Sequence, residues 1–161
     1  MRHLAALFVA ILVFAGAAVA RQEKPPTANQ QLARAIFKEL IEINTTDSSG
    51  DVTKASEAMA ARLRAAGFTG TDVQVIGPSA TKRNLVARLR GTGRAKPILL
   101  IAHLDVVEAR RSDWSFDPFV FLERDGYYYG RGTTDIKDGA AALVATPVSY
   151  THLTLPTILL V

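Results

Sequence analysis

The run KPILLIAHLD, Lys96 to Asp105, limits the folds open to this chain more than any other feature. Ile98 to Ile101 are four consecutive branched apolar residues with no polar alternation, which predicts a strand buried on both faces. Such a strand needs neighbours in its sheet and layers above and below. The expected architecture is therefore α/β, a central sheet with flanking helices. The strand ends in His103 and, two residues on, Asp105. Residues i and i+2 of a strand face the same way, and ligands of open α/β sheets gather at the carboxyl ends of their strands. An imidazole and a carboxylate thus project together from the strand's tip.

The flanking sequence supports the layers. Leu32, Ile36, Leu40 and Ile43 recur at helical spacing from about Asn29, with Ala33 and Phe37 widening the stripe. NTTDSSGD closes that helix, and Thr53 is the predicted cap of a second, KASEAMAARLRAAG, which stops at Gly67. The β-branched segments TDVQVIG and RNLVARLRG then precede the apolar run. RGTGR, Arg90 to Arg94, lacks the Lys-Ser/Thr of a P-loop and the third glycine of a dinucleotide fingerprint, and reads as a hairpin turn between strands. After the loop EARRSDWSFDPF, the pair Asp125-Gly126 inside VFLERDGYYYG predicts a second hairpin. A glycine-rich loop with Asp135 leads into a small-residue helix from about Lys137.

The ends of the chain differ in character. MRHLAALFVAILVFAGAAVARQ has a basic start, an apolar stretch and Ala18-Val19-Ala20 before Arg21, the pattern of a secretory signal peptide over residues 1–20. The expectation is an exported protein, periplasmic or secreted, with no stable membrane span after cleavage. Residues 21–28, with paired prolines, form a linker. The chain has no cysteine, so neither a disulfide framework nor a thiolate site is available, and any metal must sit on His, Asp or Glu. Its net charge of +4 comes from scattered Lys and Arg, without a basic run interleaved with aromatics, which argues against nucleic-acid binding.

His103 is the candidate metal ligand, with Asp105 as the acid fixing its tautomer. A hydrogen-bonded loop histidine is the competing reading. Asp135 lies where Gly130 and Gly132 let backbone crowd close. It is a second candidate ligand or, equally, a helix N-cap.

LLIAHLDVV, DWSFDPF and DGYYYGRGTTDIKDGAAAL resemble, in order and spacing, the N-terminal motifs of the M20 metallopeptidases. That superfamily includes carboxypeptidase G-like, succinyl-diaminopimelate desuccinylase-like and acetylornithine deacetylase-like enzymes. The resemblance runs from the first helix to Thr146. It implies the N-terminal part of a zinc-exopeptidase-like catalytic domain over residues 29–146. It also implies two divalent cations, zinc or alternatively cobalt. His103 then serves as a ligand of one zinc, Asp105 as the catalytic acid that orients it, and Asp135 as the carboxylate bridging both. A cis peptide after the bridging acid, Asp135-Ile136, is a further implication. The implied reaction is metal-assisted hydrolysis of peptides or N-acyl amino acids. A non-catalytic binding relative is the rival, and an ordinary secreted α/β domain is a third reading. Arg110 and Arg111, beyond the metal strand, face either a substrate carboxylate or solvent.

The family's glutamate pair, further acidic ligand and distal histidine have no counterpart here, since Asp138 alone follows Asp135 among the acids. The lid domain through which relatives dimerise has none either. VSYTHLTLPT departs from the pattern, with Pro147 expected to break the helix. Back-translated, the stretch follows a transposase-type sequencing-library adapter in frame, through Val161 to a stop codon. Residues 147–161 are accordingly expected to be a non-native tail, and His152 carries no role. The 161-residue chain alone is expected to be inert and poorly stable.

Overall fold

The computed structural model describes residues 24–152; the signal peptide expected over residues 1–20 and the end of the tail expected to be non-native lie outside the described residues. The first helix, α1, spans Ala28–Glu42. Thr27 caps it in a capping box: its hydroxyl accepts from the Gln30 amide, and the Gln30 side chain accepts from the Thr27 amide. The stripe predicted from the spacing is the one that buries, with Ile36 and Leu40 fully enclosed and Ile41 joining them.

Helix α2 covers Val52–Ala65. Its cap is Asp51 rather than Thr53: the Asp51 carboxylate accepts from the Lys54 amide at 2.9 Å. The Thr53 hydroxyl is used elsewhere, accepting from the Arg83 amide at 2.9 Å. An ionised acceptor at a helix N-terminus gains from the macrodipole, which is why the aspartate wins. Gly67, at φ 97°, follows the helix end as expected.

Strands β1 (Val73–Ile76) and β2 (Asn84–Ala87) form an antiparallel pair, with Val73 opposite Ala87. A second hairpin joins β3 (Leu122–Arg124) to β4 (Tyr127–Tyr129) through Asp125 and Gly126, both at positive φ. Helix α3, Lys137–His152, packs on α1 and, less extensively, on α2. Its alanines Ala140, Ala141 and Ala145 bring the backbones together, and Val144 and Val148 complete the shared core with Met59 and Leu63.

The mixed helix-and-strand class holds, and three local expectations are corrected here. Ile98–Ile101 join no ladder and are exposed, Ile98 at 85%, so the central sheet is not assembled among the described residues. A doubly buried strand requires edges to pair with, and the described residues supply only two separate hairpins. For the same reason RGTGR turns between no strands. Pro147, expected to break the last helix, lies inside α3. It has no amide to give the carbonyl four residues back. Burial of Val144 and Val148 on either side holds the helix through it, while the Thr146 hydroxyl donates to Ala142 O at 2.8 Å.

Candidate metal centre

The His103 segment is positioned without a sheet. The Thr45 hydroxyl, just past the end of α1, donates to Leu104 O at 2.7 Å, and the Val106 amide donates to Thr45 O at 3.2 Å. Thr45 is wholly buried, so these bonds fix the backbone on both sides of Asp105. The opposite wall is the glycine loop. Gly130 packs so closely on Ile41 that an added Cβ would fall 2.6 Å from its Cγ2. The Arg131 amide donates to Pro118 O at 2.7 Å, and the Lys137 amide to Gly132 O at 3.1 Å. Asp135 emerges from this loop, and the Asp135-Ile136 peptide is cis, as the resemblance implies.

The three residues singled out in the sequence meet. His103 Nε2 lies 2.9 Å from Asp135 Oδ1. On the other side of the ring, Nδ1 is 3.0 Å from the Asp105 carbonyl and 3.5 Å from its carboxylate. Asp105 therefore orients the ring mainly through its backbone. The Asp135 carboxylate bonds His103 and, among the described residues, none of the amides opening α3, so the N-cap reading fails.

Both ring nitrogens face acceptors, an arrangement that suits an imidazolium. Desolvation lowers the His103 pKa, but the Asp105 carbonyl, the Asp135 hydrogen bond and the two carboxylate charges outweigh it, and the net shift is upward. Nε2, which faces Asp135, is the position a cation would take. Two ligands of one tetrahedral zinc stand about 3.3 Å apart, slightly more than the observed 2.9 Å. With Nδ1 tied to Asp105, the neutral ring offers Nε2 outward, and the donor set fits a borderline cation. No cluster of three or more His, Asp or Glu able to hold a metal occurs among the described residues. His103 and Asp135 thus form part of a shell.

The pair opens on a cleft of about 290 Å³ whose lining includes Asp105, Trp114, Arg131 and Thr134. Arg131 went unnoticed in the sequence, although an arginine between two close-packed glycines was the available signal. Its guanidinium lies 5.1 Å from the centre of the Trp114 ring and donates to Glu108 O at 3.3 Å. It lines the cleft, whereas Arg110 and Arg111 do not. Arg111 is turned away, donating to Trp114 O at 2.6 Å. Lys137, also missed, is entirely buried behind the site, and burial pushes its ammonium down to about 8.

Residues 99–154, the stretch bearing this site, match the sequence model of Peptidase family M20/M25/M40. The chain carries that family's pattern across the segment that holds His103 and Asp135. Among curated proteins it is similar to the probable succinyl-diaminopimelate desuccinylase of Staphylococcus epidermidis, 41% identical over 75 residues, covering 45% of this chain and 18% of that protein. The succinyl-diaminopimelate desuccinylase of Delftia acidovorans is 42% identical over 90 residues, covering 55% of this chain and 23% of its own length. The chain thus spans about a fifth of these relatives. In fold it is similar to human carnosine dipeptidase 1, at a TM-score of 0.57 and 23% identity over 81% of this chain and 32% of that one.

Proposed function

We propose that this chain is the N-terminal part of a hydrolase that cleaves an amide bond with the help of two divalent cations, zinc or cobalt. The observation that carries the reading is the contact of His103 Nε2 with Asp135 Oδ1, with the far side of the ring held by Asp105. In this reading His103 binds one cation and Asp135 bridges both. Bound there, divalent cations supply Lewis-acid polarisation of the scissile carbonyl and a nucleophilic water at neutral pH. The residues of this chain do the positioning. Asp105 holds the Nδ1 side of the ring, so that the neutral imidazole presents its Nε2 lone pair toward Asp135. Arg131 and Trp114 form the cleft wall on which a substrate rests.

The substrate class is a peptide or an N-acyl amino acid. The relatives named as desuccinylases favour N-acyl cleavage, and the dipeptidase neighbour favours peptides. A signal peptide over residues 1–20 leans toward peptides met outside the cytoplasm. Full-length protein, assayed on dipeptides and N-succinyl amino acids before and after chelation, separates these. Turnover abolished by chelator and restored by zinc or cobalt is the expected result. Turnover indifferent to chelator overturns the metal reading, and no turnover with intact metal binding favours a non-catalytic binding relative.

A further inference from the structure

Lys137 is the one ionisable side chain of the described residues with no exposure at all. Its Nζ donates to Leu40 O at 2.7 Å and to Ile43 O at 3.0 Å, two carbonyls at the C-terminal end of α1. The negative end of the helix dipole and its unpaired carbonyls are the counter-charge for this ammonium. Its stem runs beneath the glycine loop: a Cβ on Gly132 would fall 3.1 Å from Lys137 Cδ. The Lys137 amide at the same time binds Gly132 O. The residue is thereby fastened at its backbone to the loop that carries Asp135 and at its tip to the end of α1.

The His103 segment is fastened to the same place. Thr45, two residues beyond Ile43, makes both bonds that bracket Asp105. The exit of α1 is therefore a common anchor for two segments that, among the described residues, share no backbone–backbone hydrogen bond. A methionine would fill most of the Lys137 volume without desolvating a charge, so packing alone does not require an ammonium here.

We propose that Lys137 is a positioning residue for Asp135, tying the carboxylate-bearing loop to the end of α1 that also holds the His103 segment, and so setting the separation of the two metal-binding groups. The inference rests on the metal reading above and deepens it.

The test uses the full-length protein and cobalt(II). Affinity is read by competition with a chelator, ligand geometry by the visible d–d spectrum, and folding by thermal melting of the metal-free protein. Lys137→Met is expected to weaken cobalt binding about ten- to hundredfold, as loss of groups that orient ligands does, and to alter the spectrum. Met59→Ala, a cavity in the α2 core, is expected to lower the melting temperature while leaving cobalt affinity and spectrum as in the wild type. Should Lys137→Met fail to fold, Lys137→Gln, which keeps one neutral donor on a shorter stem, carries the same test with a smaller expected loss. Wild-type affinity and spectrum in the folded Lys137 variant overturn this inference alone. A wild-type protein that takes up no cobalt overturns the metal reading and this inference with it.

Discussion

Gly132 and Val106 touch backbone to side chain: a Cβ at Gly132 would lie 2.8 Å from Val106 Cγ1. Val106 is buried directly beside the His103–Asp105 segment, and Gly132 holds φ 89°. The two walls of the cleft beside His103 therefore meet at a point where only glycine fits, on conformational and steric grounds together.

Gly132→Ala is expected to push these walls apart. Full-length protein with this change should bind cobalt about tenfold or more weakly and unfold at a lower temperature. Chelator competition and calorimetry check it. An alanine variant with unchanged affinity means that the close approach does not set the ligand separation.

Metal uptake should release a proton, and the amount should depend on pH. Desolvation opposes the charge on His103, but the bonds to Asp105 and Asp135 prevail and its pKa is raised in the folded, metal-free protein. The stabilisation from the charged ring is thus complete below the unfolded value of about 6.5 and is lost as pH rises through the folded value. A cation at Nε2 needs the neutral ring. Calorimetric titration with zinc in buffers of different ionisation enthalpy should find proton release large near pH 6 and falling toward pH 9. His103→Gln should remove that component.

The 161-residue chain by itself should bind hydrophobic dyes and self-associate, because Ile98 to Ile101 lie open to solvent without strand partners. Leu99→Lys with Ile101→Lys should reduce dye fluorescence and raise the monomer fraction in gel filtration. The same pair in the full-length protein should lower the melting temperature, since there the segment is expected to be a covered strand. A double lysine variant of the full-length protein that melts as the wild type does would refute that expectation.

Two covalent outcomes concern the ends. N-terminal sequencing of protein expressed in an exporting host should begin at Arg21. Genomic DNA should depart from this sequence after Thr146. A genomic reading frame that continues through PVSYTHLTLPTILLV removes the expectation of a foreign tail.

Local pattern carried most of the helical layer. The stripe through Ile36 and Leu40, the Asp125-Gly126 turn and the start of α3 at Lys137 follow from spacing and turn chemistry over a few residues. The cap of α2 was misjudged because Asp51 and Thr53 both suit the role, and the choice depends on the Arg83 amide, thirty residues away, which occupies Thr53. The central strand could not be judged from its own residues, since pairing depends on edges supplied from elsewhere. Of the site, His103, Asp105 and Asp135 were singled out from residue type and motif, and the structure brings the three side by side. Arg131 and Lys137 were not. A lysine at the head of a small-residue helix reads as solvent-facing until the carbonyls of Leu40 and Ile43, nearly a hundred residues earlier, are folded against it.

Suspending both segments from the exit of α1 also governs how the pair responds to thermal fluctuation. Breathing of the bundle that shifts this helix end should carry the imidazole and the carboxylate in parallel, and their spacing is then expected to vary less than either position. Disturbances common to both cancel, and those acting on one alone do not.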